Sequence, residues 1–346
     1  MKSCVTIILI VFAVTFSLDA QWFVQSSGTV QNLNSVSFAN STTGWACGAN
    51  GQIIKTTDGF NWSPQTSGTY NNLKNIQFID SDNGWAFGSN QLLRTTNGGT
   101  NWSVLNFSSP IDAFHFVSGN VGWLTANGGI YKTTDGGLTW TSQNAVNIGY
   151  LESIFSINEN YGWATNMIAL IKTTDGGNNW VPYPRVFFTG SPMCLKFVNT
   201  LTGWFSHNTL GSYVVSKTTD SGVTWFDQIA ESFKYIECID FLNSSTGYAA
   251  GYTMSGPTTP EKGIIKKTTD GGTTWIEPYN EVGGLSSIFM VNELIGWAVG
   301  KDGKILKTVN GGLPVELVGF TANVNKNIVN LNWSTTTETN NKGFQV

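Results

Sequence analysis

One phrase recurs seven times along the 346-residue chain, and this repetition constrains the fold more than any single residue does. Each copy opens with Gly-Trp, or once with Gly-Tyr, and then reads Lys-Thr-Thr-Asp-Gly-Gly or a close variant, followed in six copies by a second Trp. The copies are spaced 38 to 49 residues apart. Such a period is typical of solenoids and propellers, in which each repeat is one small packed unit. The first aromatic residues of the seven copies are Trp45, Trp85, Trp123, Trp163, Trp204, Tyr248 and Trp297.

The two ends of the repeat array indicate a closed ring rather than an open stack. The seventh copy lacks its second Trp, because Gly312 is followed by Leu313 and Pro314. The N-terminal segment contains a second Trp of the repeat phrase without the first part of the phrase. Trp22 in QWFVQSSGT resembles Trp62 in NWSPQTSGT, although no Gly-Trp precedes it. We therefore expect a strand around Trp22 to complete the last repeat, which would protect sheet edges as ring closure does in propellers.

Each repeat has room for four short strands. In the first copy the strand-like runs cover residues 33–38, 44–49, 52–56 and 62–65. Clusters of Gly, Asn, Asp and Ser separate them and turn the chain, since Gly tolerates positive φ and Asx side chains bond their own backbone. No helical period of apolar residues occurs outside the extreme N-terminus. The sequence therefore predicts an all-β protein whose main domain is a seven-bladed β-propeller of four-stranded blades.

The Thr-Thr-Asp-Gly-Gly-x-Thr-Trp phrase resembles the Asp box of bacterial neuraminidase repeats, a hairpin between the third and fourth strands of a propeller blade. Together with the Gly-Trp-Ala-x-Gly strand, as in GWACGANG from Gly44 and GWAVGKDG from Gly296, it makes residues 21–312 similar to the photosystem II stability and assembly factor family. The resemblance implies the propeller fold and a protein-binding scaffold. Members of that family are described as presenting an arginine-rich patch to a membrane partner, whereas this sequence contains only Arg94 and Arg185, so we do not extend the photosystem role to it.

The Asp or Asn of each box is predicted to be structural. Its side chain can accept hydrogen bonds from turn N–H groups while the following Gly takes a positive φ. A metal site would need several ligands that converge on one point, whereas a ring of blades holds these residues apart. The replacement of Asp by Asn in two copies is compatible with a turn. The seven positions are Asp58, Asn97, Asp135, Asp175, Asp220, Asp270 and Asn310.

Charge and residue counts argue against several function classes. The formal net charge is −4 and 12% of residues are charged, with no basic run able to neutralise several phosphates, so we predict no nucleic-acid partner. A sialidase needs three arginines around the substrate carboxylate, and two cannot supply them. His115 and His207 are the only histidines, so we predict no metal, no cofactor and no Ser-His relay.

We predict a non-catalytic protein, with one enzyme class kept as the alternative: a glycoside hydrolase of the Asp-box propeller type that acts through two carboxylates in a cleft. The carboxylates outside the repeat phrase show no spacing that pairs them for such work. They are Asp112, Glu152, Asp227, Glu231, Glu237, Asp240 and Glu277.

The first 20 residues are predicted to be a signal peptide. Lys2 supplies the positive charge, an apolar run covers residues 5–18, and Ala20 precedes a cut at Gln21. The run is too short to be a stable membrane anchor. We therefore expect a secreted or cell-surface protein that has no membrane span after cleavage and is monomeric.

Three cysteines follow the predicted cut. Cys47 takes the place of Val299 in the seventh copy and is expected to be a small buried residue. Cys194 and Cys238 each precede a Phe by three residues, so they should lie at equivalent positions on adjacent inner strands. A disulfide between them stays open, because strands of separate blades are expected to lie farther apart than a disulfide allows.

Residues 314–346 follow a different pattern, with alternating apolar residues and no Asp box, after a propeller assigned to residues 21–313. This tail resembles the opening of the fibronectin-like module that precedes type IX secretion sorting domains in many secreted proteins. Two or three strands of a sandwich cannot bury a core alone. We therefore expect an incomplete β-sandwich-like tail, the truncated start of such a module; the alternative is a short terminal extension.

The lengths of the connections give the ring its only asymmetry. The long connections are predicted at residues 182–192, 206–212, 252–262 and 277–284, in repeats four to seven and on the face opposite the Asp boxes, where they would form one raised sector. Aromatic residues with an Arg are typical of interfaces, so we predict a surface that binds another protein or a polysaccharide. The alternative is that these aromatics pack under their own turns. The candidate residues are Tyr183, Arg185, Phe187, Phe188, His207, Tyr213, Tyr252 and Met254.

Overall fold

The computed structural model describes residues 22–143, 149–166, 169–183, 192–209, 212–232, 234–254, 261–312, 317–325 and 328–335. Seven four-stranded antiparallel sheets are arranged as the blades of a propeller. Within the described residues the only helices are single 3-10 turns at Ala49–Gly51 and Lys301–Gly303, each between the second and third strands of a blade. The predicted all-β, seven-bladed propeller is confirmed.

The blades are numbered in chain order, and each runs from an inner strand at the centre of the ring to an outer strand at its rim. Blade 1 consists of Leu33–Phe38, Gly44–Gly48, Ile53–Thr56 and Trp62–Gln65; blade 2 of Asn75–Phe78, Gly84–Gly88, Gln91–Thr95 and Ser103–Asn106; blade 3 of Ile111–Phe116, Gly122–Ala126, Gly129–Thr133 and Thr141–Ser142; and blade 4 of Ser153–Ser156, Gly162–Thr165, Leu170–Thr173 and Val181–Pro182. Blade 5 consists of Pro192–Phe197, Gly203–Thr209, Ser212–Thr218 and Phe226–Ser232; blade 6 of Lys234–Phe241, Gly247–Thr253, Lys262–Thr268 and Ile276–Val282; and blade 7 of Leu285–Met290, Gly296–Gly300, Ile305–Thr308 and the N-terminal strand Phe23–Gln25.

The N-terminal strand closes the ring, as the orphan Trp22 predicts. Phe23 pairs with Lys307, so the strand becomes the outer strand of blade 7. Trp22 is buried beside blade 6 and blade 7 residues. Across the closure, Lys307 Nζ donates to the Gly59 carbonyl of blade 1 at 3.0 Å, and Trp62 Nε1 donates to Gln25 Oε1 at 3.1 Å. Closure therefore uses the same kinds of contact as the other blade junctions.

The two halves of the repeat phrase meet at each junction between blades. Trp45 of blade 1 is fully buried and stacks on Phe78 of blade 2 with ring centroids 3.4 Å apart. Lys55 Nζ lies 5.0 Å from the centroid of the Trp45 ring and donates to the carbonyl of Gly98 at 2.8 Å, while Trp45 Nε1 donates to the same oxygen at 3.1 Å. Trp45 and Lys55 of blade 1 thus hold the Asp-box turn of blade 2. The same stacking joins Trp85 to Phe116, Trp163 to Phe197, Trp204 to Phe241 and Trp297 to Phe38.

In five blades the Gly before the first aromatic residue of the repeat makes room for a Phe ring of the same blade, whereas Gly162 faces Ser156 and Gly296 faces Met290. A Cβ atom added to Gly122 would lie 2.5 Å from Phe116 Cδ1, much closer than van der Waals contact. The Phe116 ring cannot move away easily, since it is stacked on Trp85 with centroids 3.7 Å apart. The Gly-Trp pair is therefore one packing unit with the inner-strand Phe.

Two of the four long connections predicted for the raised sector are mostly strand, whereas most of each connection at 182–192 and 252–262 lies outside the described residues. In blade 5 the second and third strands pair as far as Thr209 and Ser212, so most of the connection predicted at 206–212 is sheet. The connection predicted at 277–284 is likewise mostly the outer strand Ile276–Val282. The prediction of loops was wrong at these two places. In blade 5 the alternating apolar residues Tyr213 and Val215 extend the strand pairing, since they lie opposite Asn208 and Ser206. A seven-residue strand is two residues longer than the five of Gly44–Gly48, which adds roughly 7 Å of height.

The tail forms a two-stranded antiparallel sheet, Leu317–Asn325 with Ile328–Thr335. The predicted sandwich-like module and the link to type IX secretion stay predictions, as does the signal peptide, which lies outside the described residues. Among the residues that are described, no helix has the length and apolar character needed to cross a membrane.

Candidate binding face

The Asp-box side chains are occupied by their own turns. Asp270 accepts hydrogen bonds from Thr268 Oγ1 at 2.9 Å, from the Thr274 backbone N–H at 2.9 Å and from Thr274 Oγ1 at 2.6 Å. These bonds, chiefly those from Thr274, lower the pKa of Asp270 to about 2. Asn97 accepts the matching bonds from Thr95 Oγ1 and the Asn101 backbone N–H, both at 3.0 Å, which explains why Asn can replace Asp.

All seven box residues bond the Thr two positions earlier in this way: Asp58, Asn97, Asp135, Asp175, Asp220, Asp270 and Asn310. Across the described part of the chain, His, Cys, Asp and Glu side chains nowhere gather in a group of three or more that could hold a metal ion. The boxes stabilise the turns of the Asp-box face.

On the opposite face, three tyrosines of blades 5 and 6 pack together. Tyr235 and Tyr252 are stacked in parallel with ring centroids 4.9 Å apart, and Tyr213 contacts Tyr235 in a tilted arrangement at a centroid distance of 4.1 Å. The Tyr235 hydroxyl donates to Met254 Sδ at 3.1 Å, and Met254 is 49% exposed. We call Tyr213, Tyr235, Tyr252 and Met254 the tyrosine cluster. It lies where the inner strand of blade 6 begins and its second strand ends.

Charged groups border the tyrosine cluster. Lys301 of blade 7 contacts Glu261 Oε2 at 2.6 Å, and its Nζ lies 5.6 Å from the centroid of the Tyr252 ring. Glu237 is hydrogen-bonded to Tyr252, although burial raises the pKa of Glu237 overall. Burial and the nearby Glu237 carboxylate raise the pKa of Tyr252, so its phenol stays neutral. The cluster is thus an aromatic platform with an acidic border and one cation.

The other predicted face residues divide into two groups. Tyr183 is partly buried and packs against the blade 4 core around Trp163. His207 is only 5% exposed and stacks on Phe205 at a centroid distance of 4.6 Å, so it lies inside blade 5 rather than on the predicted face. Tyr213 is 8% exposed and supports the cluster from below. The predicted residues Arg185, Phe187 and Phe188 lie outside the described residues.

His207 also belongs to a row of polar side chains, but not to a catalytic relay. Its Nε2 lies 3.2 Å from Ser216 Oγ, and Ser216 Oγ donates to Asp227 Oδ1 at 2.7 Å. In a Ser-His-Asp relay the histidine stands between the other two and accepts the serine proton. Here the serine stands in the middle and its proton is directed to the carboxylate, so these contacts tie strands of blade 5 together.

Sequence reasoning missed Tyr235 and the proximity of two carboxylates. Tyr235 lies on a strand eight residues long, Lys234–Phe241. The only available signal was the number of residues before Phe241, which occupies the same repeat position as Phe38 in blade 1. Burial raises the pKa of Asp112 in blade 3. Burial and then the charge of Asp112 raise the pKa of Glu152 beside blade 4, which places the two carboxylates near each other. The available signal was their 40-residue separation, which equals the spacing of Trp123 and Trp163 and so places them at equivalent positions of adjacent repeats.

The central channel opens into a cavity of about 390 Å³ on the Asp-box face, but the polar groups there serve contacts between blades. Lys196 contacts Asp240 at 2.8 Å, and Asp240 also accepts the Met290 backbone N–H at 2.8 Å. His115 Nδ1 accepts the Ser156 backbone N–H at 3.3 Å, and burial lowers the pKa of His115 to about 3, so the ring is neutral. The tyrosine cluster is therefore the better candidate for a binding surface.

Comparisons with known proteins agree with this fold. The sequence profile of the family described as photosynthesis system II assembly factor YCF48 matches residues 14–309. A structure of YCF48 bound to D1 peptide is 20% identical with a TM-score of 0.65, and the match covers 84% of this chain and 95% of that chain. YCF48 from Cyanidioschyzon merolae is also 20% identical with a TM-score of 0.65, covering 83% and 98%.

The fold is also similar to that of an enzyme. The GH74 xyloglucanase from Xanthomonas campestris is 12% identical with a TM-score of 0.64, and the match covers 84% of this chain and 54% of that chain. At these identities the structural similarities show a shared fold alone. A comparison with curated protein sequences found no match.

Proposed function

This chain belongs to the family of the photosynthesis system II assembly factor YCF48, and from that premise we propose that it is a non-catalytic scaffold that binds a peptide segment of a partner protein at the tyrosine cluster. The observation that carries the proposal is the stacked pair Tyr235 and Tyr252, with Tyr213 packed against Tyr235 and the exposed Met254 beside them. A structure of YCF48 bound to D1 peptide has the same fold, which supports peptide binding by this kind of propeller.

The side chains of the tyrosine cluster suit a protein ligand. Tyrosine offers a large contact area at a low entropy cost, because its side chain has few rotatable bonds. Here those bonds are already fixed, since Tyr235 and Tyr252 are stacked and Tyr252 is hydrogen-bonded to Glu237. Met254 adds a polarisable, adaptable surface. A partner would therefore meet a preorganised centre, and preorganisation reduces the cost of binding.

The test is a selection of phage-displayed random peptides on the protein, followed by affinity measurements with purified peptides. We expect Tyr252→Ala to weaken binding of the selected peptides by at least about tenfold, the effect of losing an interface anchor. Tyr252→Phe should weaken it less, because the ring remains. Tyr70→Ala is the matched control, since Tyr70 is a single tyrosine, 92% exposed, between blades 1 and 2.

Equal affinities for the wild type and Tyr252→Ala would contradict the proposal. The same variants on a glycan array distinguish the second type of partner. Glycan binding that Tyr252→Ala abolishes, without peptide binding, would assign the cluster to a polysaccharide. An unchanged near-UV circular dichroism spectrum of each variant shows that the ring is intact.

A glycoside hydrolase is the second candidate, favoured by one observation. Asp112 and Glu152 are partly buried carboxylates of adjacent blades whose pKa values are both raised, and paired carboxylates act as the acid and the base or nucleophile in such enzymes. The raised pKa values do not by themselves assign the two roles, which need one protonated and one ionised group. Release of reducing ends from xyloglucan, abolished by Glu152→Gln, would establish the enzyme instead.

We further propose that the protein is exported and monomeric, and that the two tail strands begin a separate fibronectin-like module. The apolar run at residues 5–18 and the small Ala20 support export. Edman sequencing of protein recovered outside the cell should begin at Gln21, and an intact Met1 would contradict the proposal. Size-exclusion chromatography with light scattering tests the monomer.

A further inference from the structure

Cys194 and Cys238 face each other across the junction between blades 5 and 6. Each lies on the inner strand of its blade, where Cys194 pairs with Ser206 and Cys238 with Ala250. The positions are equivalent, as the sequence predicts, but the two sulfur atoms are only 3.9 Å apart. Both residues are free thiols and both are partly exposed. The inner strands of blades 5 and 6 therefore lie closer together than expected from the sequence for strands of separate blades.

The same approach occurs elsewhere around the ring. The inner strands contact one another in a closed circle, so their side chains can reach across the junctions. Between blades 1 and 2, Ser35 Oγ donates to Asn75 Oδ1 at 3.3 Å. Two residues beyond the cysteines, Lys196 contacts Asp240 at 2.8 Å across the same junction of blades 5 and 6. The thiol pair is thus one of several side-chain contacts between the inner strands of neighbouring blades.

The surroundings of the two thiols make them chemically different. The hydrogen bond between the sulfurs lowers the pKa of Cys194, against the effect of burial, and the Lys196 ammonium acts in the same direction. The same bond and burial raise the pKa of Cys238. Cys194 is thus the better thiolate and Cys238 the proton-bearing partner. Cys47 differs from both, because it is fully buried in blade 1 and burial raises its pKa strongly.

We propose that Cys194 and Cys238 are the site of a reversible disulfide that joins the inner strands of blades 5 and 6, formed by exchange with the disulfide of a thiol-disulfide oxidant. The inference does not depend on the proposed function. The sulfurs must approach from 3.9 Å to about 2.0 Å. Closure also requires the two Cα atoms to lie within about 7 Å of each other.

The reaction has two exchange steps. The Cys194 thiolate attacks one sulfur of the oxidant, which breaks the S–S bond of the oxidant and releases its first thiolate. Cys238 then gives its proton to that released thiolate, and its sulfur attacks the mixed disulfide at Cys194, displacing the second thiolate of the oxidant. The two cysteines lose two protons and two electrons in total, and the oxidant is reduced to two thiols once solvent protonates the second.

The test uses oxidised glutathione as the oxidant on the full chain. The reduced protein is equilibrated in glutathione buffers of increasing oxidation, remaining thiols are alkylated, and the digest is analysed by mass spectrometry. We expect a peptide that joins Cys194 to Cys238, lost again in reduced buffer, with Cys47 alkylated only after unfolding. Cys47→Val, which copies Val299 of blade 7, should leave the bridge unchanged.

Two serine variants test the order of the steps. In Cys238→Ser, glutathione should remain on Cys194 as a mixed disulfide, and in Cys194→Ser the modification of Cys238 should be slower, following its smaller thiolate fraction. Glutathione on Cys194 of the wild type without a bridge, or no reaction at either residue in strongly oxidising buffer, would overturn the proposal. The native near-UV circular dichroism spectrum of each variant confirms that the folded protein is being measured.

Discussion

The substitution Gly122→Ala tests whether the Gly before each Trp is required by packing. An added Cβ would lie 2.5 Å from Phe116 Cδ1 and 2.7 Å from Cγ, so the ring would have to move by more than about 1 Å to regain a normal contact. Trp85 is stacked on the ring at 3.7 Å, so the movement also displaces the blade 2 junction. Overpacking of this kind costs about 1–3 kcal/mol in the free energy of unfolding.

Urea unfolding followed by tryptophan fluorescence measures this cost, with two glycines as controls. A Cβ at Gly119 of the same blade would have no neighbour closer than 3.7 Å, so Gly119→Ala should change stability little or raise it by roughly 0.4–1 kcal/mol. Gly162 of blade 4 faces Ser156 Oγ rather than a Phe ring, and Gly162→Ala should cost less than Gly122→Ala because a hydroxyl can rotate away. If Gly122→Ala and Gly119→Ala unfold within about 0.5 kcal/mol of each other, the packing argument is refuted.

Three further predictions concern the turns and the ring closure. Asp270→Asn should melt close to the wild type and Asp270→Ala clearly lower, because Asn97 already makes the same turn bonds; equal melting temperatures would contradict this. Burial lowers the pKa of Lys307 from 10.5 to about 8, so between these pH values the unfolded chain binds more protons and stability rises with pH. Lys307→Met should reduce that rise in urea titrations at pH 8 and 10, and an unchanged slope would be the contrary result. Trp22→Ala removes a buried ring and should cost about 3–5 kcal/mol, whereas a loss under 1 kcal/mol would show that closure does not depend on it.

The fold could be predicted from the sequence because every blade repeats the same local chemistry. A Gly, a Trp and a Lys at fixed separations are enough to build one junction, as Trp45 and Lys55 show when both reach the carbonyl of Gly98. The orphan Trp22 then gives the closure, since only a ring leaves one outer strand to be supplied from the other end of the chain. These features depend on residues that are near in sequence or equivalent by repetition.

The details of the candidate face could be predicted only in part. Tyr213, Tyr252 and Met254 were found because they lie near long connections, whereas Tyr235 lies inside a strand and gave no such signal. His207 was misplaced because its side depends on the strand register of blade 5, where Ser206 pairs with Val215. A shift of one residue would reverse which side chains face the solvent. The register of an extended hairpin is set by tertiary packing, and it cannot be predicted from the length of the connection in the sequence.

The departures from the repeat are concentrated in two adjacent blades. Blades 5 and 6 have the longest strands of the propeller, and the inner strand Lys234–Phe241 carries both Tyr235 of the tyrosine cluster and, three residues later, Cys238. In blade 1 the matching position is the small Ser35, which bonds to the Asn75 side chain of blade 2. A disulfide at the junction of blades 5 and 6 would fix the strand that supports the aromatic stack. Other junctions, such as those of Trp45 with Phe78 and of Trp85 with Phe116, form without the features found only in blades 5 and 6. These two blades are therefore the part of the molecule in which a specific function is best sought.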